Sequence, residues 1–141
     1  MNKMYRKSKI WISQAKDALK HVSKDDIYID MACYNTQQAI EFILKAILQE
    51  NKVMYEKTHD IAFLLNLVDG TGFTFDKRDS LDLLADTITD WEQQSRYGDG
   101  IKTSVQTIQR VHNIYKNIET KYTEVIEVSD SIQNKENNFI R

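Results

Sequence analysis

Residues 34–48, YNTQQAIEFILKAIL, decide the fold. From Ile40 to Leu48 the chain is apolar nearly all round a helical wheel, with Glu41 and Lys45 as the polar exceptions. A helix of this kind belongs at the centre of a bundle, touched on most sides. The helical pattern reaches outward from about Asp25 to Glu50, which at the usual rise is ~39 Å of helix. The spacing places Ala39, Phe42, Ile43, Ala46 and Ile47 in the core.

Four more helical segments are expected around it. The first covers roughly residues 3–22, with Trp11, Ala15, Ala18 and Val22 on one stripe. The third, short, runs from about Thr58 to Val68, with Thr58 as N-cap and Asp60 suiting the positive first turn. Asp69-Gly70 marks its end, and GTGFTF follows as the main loop. The fourth spans about Lys77 to Gln93, with Leu81, Leu84, Ala85, Ile88 and Trp91 inward and Asp79, Asp82, Asp86 and Asp90 outward. After the loop SRYGDG, the fifth repeats Ile101, Val105, Ile108, His112, Tyr115, Ile118 or Glu119, Tyr122 and Ile126 at steps of three and four. From Ser129 the polar, Asn-rich sequence predicts a frayed tail. The expected division is thus a bundle over 1–128 and a flexible tail over 129–141.

Composition agrees with an all-α class. The 141 residues contain no Pro and only 4 Gly, so little forbids helix along the chain. A net charge of −2 offers no polycationic surface for duplex DNA or an anionic membrane. The single Cys, Cys33, excludes an intrachain disulfide and a Cys-based zinc site, and fits a reducing cytoplasm. The charged opening MNKMYRKSKIW lacks the apolar stretch of a signal peptide, and the run 39–48 is too short to span a bilayer. The expectation is a cytoplasmic protein with no membrane contact. Charge is segregated: residues 1–24 are strongly basic and 76–92 acidic. These are either solvated faces or complementary surfaces, paired within the bundle or across a homodimer.

Three pieces, in order, resemble the HEPN family (higher eukaryotes and prokaryotes nucleotide-binding): YNTQQAIEFILKAIL at 34–48, KTHDIAFLL at 57–65 and SRYGDG at 95–100. WISQAKDAL at 11–19 is similar to the family's opening helix. The resemblance covers roughly residues 8–125. It implies four long antiparallel helices and a short one, often dimeric, with many relatives paired with a minimal nucleotidyltransferase in toxin–antitoxin or defence-like systems. Other relatives are ribonucleases carrying an Arg, four to six residues, then a His. That spacing is missing here. Arg110 and His112 are separated by one residue and point to different sides of the fifth helix.

Candidate site residues follow. Glu41 and Lys45, at i and i+4 with Gln37 and Gln38 one turn earlier, form either a polar edge stripe or a groove holding a phosphate or base edge. Lys57 and His59 stand where a helix N-terminus favours anions, unless the segment is a plain cap. Arg96 and Tyr97 could clamp a phosphate and stack a base, or Arg96 could pair with Asp99 or Asp90 to fix the loop. His21, His112 and Cys33 are expected to serve packing or surface. No metal and no cofactor is called for. The sequence thus points to a nucleotide- or RNA-binding protein without a catalytic residue, working as a homodimer and with a nucleotidyltransferase partner. The alternatives are a metal-independent ribonuclease with a non-standard Arg/His site, using Arg96 with His59 or His112, and a purely structural interaction bundle.

Overall fold

The computed structural model describes residues 1–97 and 100–140, with the side chains of 96–97 and 136–140 outside that description. Its five helices are α1 (Lys3–Leu19), α2 (Ile27–Glu50), α3 (Ile61–Gly70), α4 (Arg78–Tyr97) and α5 (Val105–Ile140). α2 packs against every other helix, as its all-round apolar sequence requires. Side-chain links fix the directions. Asn2 at the start of α1 reaches Gln49 at the end of α2, and Tyr122 of α5 reaches Glu50. The N–H of Ile101, just before α5, bonds Asp30 at the start of α2. α1, α2, α4 and α5 therefore run up, down, up and down, with α3 short between them.

The core is continuous from α1 to α5. Ala39, Ile40, Ile43, Leu44, Ala46 and Leu48 of α2 are fully buried, and meet Leu64, Leu65, Leu81, Ile88, Ile108, Ile114 and Ile118. Phe42 departs from the expectation. It is only half-buried, with the ammonium groups of Lys7 and Lys45 5.5 and 5.6 Å from its ring centre. Phe42 thus lies at the edge of the core, with two ammonium groups against its ring.

Helix ends also depart from the sequence reading. α3 starts at Ile61, because the Asp60 carboxylate accepts from Phe63 N–H and is the N-cap. The Thr58 hydroxyl instead accepts from Asp60 N–H two residues on. α2 closes with Val53 N–H on Leu48 O and Lys52 N–H on Gln49 O, a Schellman arrangement. It places Lys52 at φ 56°, where Gly is more usual. Ile101 belongs to the loop rather than to α5, although its buried side chain keeps the periodic register. Ser95, Arg96 and Tyr97 lie in the last turn of α4 rather than in a loop. α5 continues through the polar stretch to Ile140, and residues 127–135 are all exposed, so this part extends past the bundle.

Arg78 takes Asp69, Asp79 and Asp82 within its own region. No helix of the described residues is long and apolar enough to cross a membrane.

Candidate functional site

The polar exceptions of α2 converge on one carboxylate. Glu41 is 1% exposed inside the most apolar stretch of the chain. Its Oε2 accepts from Lys45 Nζ at 2.8 Å, one turn on. Its Oε1 accepts from Gln37 Nε2 at 2.9 Å and from His59 Nδ1 at 2.7 Å. Helical spacing supplies Gln37 and Lys45, four residues to either side. His59 arrives from the irregular stretch between α2 and α3, held by the turn at Thr58 and the cap at Asp60.

Burial makes this cluster costly. Two charges removed from water lose several kcal/mol of hydration each, returned only by close pairing and further hydrogen bonds. Both conditions hold for Glu41, which has three donors. Lys45 is capped on its outer side by aromatic rings, with Nζ 5.6 Å from the centre of Phe42 and 5.9 Å from that of Tyr55. The exposed member is His59, whose side chain is 46% accessible.

Not every expected residue joins the cluster. Lys57 is exposed, two residues before His59, and makes none of the cluster's hydrogen bonds. The donors at the start of α3 are largely committed: Ile61 N–H goes to Thr89 Oγ1, Phe63 N–H to the Asp60 carboxylate and Leu64 N–H to Asp60 O. Two of the first-turn amides that would hold an anion are thereby filled by side chains. The side chains of Arg96 and Tyr97 lie outside the described residues, so their placement relative to the cluster is not part of this geometry. Gln38 is half-buried on the same stripe. The described clefts lie elsewhere. One of about 290 Å³ is bounded by the 74–76 loop and α5, and one of about 430 Å³ by α1 and α2.

Two buried polar networks were not visible in the sequence. Thr36 Oγ1 lies 2.8 Å from His112 Nε2 across α2 and α5. Burial, with the charge of Lys16 adding to it, pushes the His112 pKa down to about 4. That ring is neutral at physiological pH, and Arg110 is exposed on another side of the helix. The second network joins both ends of the chain. Tyr5 Oη donates to Glu119 Oε2 at 3.0 Å, and Ser8 Oγ lies 2.9 Å from Tyr115 Oη. Burial and the Glu119 charge raise the Tyr5 phenol to about 12, and burial chiefly raises Tyr115 as well. Their signal was a Tyr and Ser on α1 and a Tyr and Glu on α5, which only tertiary packing pairs. Cys33 is buried, and desolvation, with Asp30 beside it, raises its thiol to about 12, so it is no nucleophile at neutral pH. No group of three His, Cys, Asp or Glu among the described residues is arranged to hold a metal.

A family model described as the HEPN domain matches residues 4–128, which includes the whole α2 cluster. Neither the curated proteins nor the solved structures gave a significant match.

Proposed function

The chain belongs to the HEPN domain family, and from that premise we propose that it binds a nucleotide or an RNA end at the Glu41 cluster without cleaving it. The observation that carries this reading is a buried Glu41–Lys45 pair with one half-exposed partner, His59. A buried ion pair is weak evidence of a stability role, since apolar residues of similar size do as well or better. In this reading its value is a fixed polar surface, with the exposed Lys57 two residues before His59 and with Arg96 and Tyr97 as the proposed phosphate and base contacts. The protein acts in this reading beside a nucleotidyltransferase partner, as the family's paired members do. Absence of catalysis rests on the missing Arg-to-His spacing and on His112, whose depressed pKa and burial remove it from proton transfer near neutrality.

Equilibrium titration with ATP, GTP and a short 5′-phosphorylated RNA tests the proposal. Binding should weaken as salt rises and fall on Lys57→Ala or Arg96→Ala, because phosphate contacts carry it. Salt-independent binding, or none to any of the three, would refute it.

One observation favours the enzymatic alternative. His59 Nδ1 on a buried carboxylate orients the imidazole as a general base is oriented, with Nε2 left for a substrate. RNA cleavage by the wild type that is abolished in His59→Ala would replace the binding reading with that one.

A further inference from the structure

The Glu41 cluster holds acceptors that the protein itself does not use. Gln37 is completely buried, and its Nε2 donates to Glu41 Oε1. That bond fixes the amide, since the flipped orientation would set two acceptors against each other. The buried Gln37 Oε1 therefore has no hydrogen-bond partner, and the buried Gln38 Oε1 is in the same state. On the helical wheel the two residues flank Glu41, four and three positions before it. One turn of α2 thus presents two unpaired amide oxygens beside a carboxylate. Lys45 Nζ donates to Glu41 Oε2 and His59 Nδ1 lies on Glu41 Oε1, not on these amide oxygens.

A buried carbonyl with no donor is a cost that an apolar side chain of the same shape would remove. Two of them on the central helix point to a group that arrives from outside. The chemistry of the strip says what kind. Acceptors beside a carboxylate repel a phosphate, so a phosphate belongs toward the exposed Lys57. A metal cation is disfavoured by the Lys45 ammonium 2.8 Å from the same carboxylate. A neutral N–H donor fits both conditions. Phe42 and Tyr55, both within 6 Å of Lys45 Nζ, add flat faces at the Lys45 end of the cluster.

We propose that the Gln37 and Gln38 carbonyl oxygens receive the exocyclic amino group of a nucleobase, so that the site selects an amino-bearing base such as adenine. This rests on the nucleotide-binding reading above and assigns the base that it takes. His59 shares Glu41 Oε1 with Gln37 and is the exposed member of the pair, so displacement of its ring opens the path to the amides.

The test uses two ligands that differ by one group: ATP and purine riboside triphosphate, which lacks only the amino substituent. Calorimetry on the full chain should give binding about tenfold or more tighter for ATP, the discrimination expected where a buried acceptor is left unpaired. Gln37→Met, which also removes a donor from Glu41, and Gln38→Met should each reduce that ratio toward one. The melting temperature of ligand-free Gln38→Met should equal or exceed that of the wild type, which shows the fold intact. Equal binding of both ligands by the wild type, or a preference that survives in both variants, would overturn the base assignment and leave nucleotide binding standing. No binding of either ligand overturns the parent reading, and this one with it.

Discussion

Replacing Lys45 by Met probes the one place where charge enters the core. The side chains of Lys45 and Glu41 are 9% and 2% exposed, so the substitution leaves a carboxylate buried with its cation gone. Removing one partner of a buried pair costs about 3–5 kcal/mol. Glu41 keeps Gln37 and His59 as donors, which places the expected loss near the low end, about 3 kcal/mol. For a chain of this length the unfolding entropy is ~0.3 kcal/mol/K, so the melting temperature should fall by about 10 °C. Met keeps the volume and the contact with Phe42 and Tyr55, so cavity formation does not confound the number. The informative companion is the double variant Glu41→Leu/Lys45→Met, which removes both charges from an apolar helix. It should be no less stable than Lys45→Met alone, despite carrying one more change. Urea unfolding monitored by circular dichroism measures both. A loss below about 1 kcal/mol in the single variant, or a double variant that shows the full sum, would refute the claim that Glu41 is desolvated.

Phe42→Ala should cost about 1–2 kcal/mol, less than Ile43→Ala or Leu44→Ala at about 2–5 kcal/mol, because the Phe42 ring is half-buried; denaturant unfolding that reverses this order would contradict the placement. His112 is depressed to about 4 in the fold against 6.5 in the open chain, so the unfolded state binds the extra proton between those values. Its contribution is complete above pH 6.5 and is lost as the pH falls toward 4; it amounts to at most about 3 kcal/mol. His112→Gln should flatten that part of the stability–pH curve, and an unchanged slope would exclude His112 as its source. Homodimerisation is expected from the exposed Val125, Val128 and Ile132, spaced along the outer part of α5. Light scattering that stays monomeric at tens of micromolar would refute it.

Helical periodicity and the lack of proline made the bundle legible, and the all-round apolar wheel at 40–48 placed α2 at its centre. The same wheel could not tell which side lacks a neighbour, so Phe42 reads as core in sequence and is at the edge in the fold. Ile101 keeps the register of α5 but sits outside it, because Asp30, seventy-one residues away, holds its N–H. Thr58 and Asp60 are both competent caps, and only the backbone path chooses Asp60. In the site, Glu41 with Lys45 was visible as an i, i+4 pair. The addition of His59 was not, since it crosses eighteen residues and depends on where the turn before α3 points. The unpaired oxygens of Gln37 and Gln38 could not be read at all, because an absent partner is a property of the surroundings.

The Tyr5–Glu119 and Ser8–Tyr115 bonds set an order on how the molecule is made. Residues 37 to 59, which build the carboxylate cluster, lie close together in the chain and need only α2 and the turn after it. The inner face of α1 has to wait. Tyr5 finds its acceptor 114 positions later, so it has none until Glu119 has left the ribosome. During synthesis α1 can rest on α2 but cannot be locked, and its buried hydroxyls remain wet until α5 arrives. The exposed outer part of α5 follows Glu119 in the chain and forms no part of this lock. It emerges after Glu119 and gives the nascent bundle a further length of helix behind which the closure of α1 on α5 can take place.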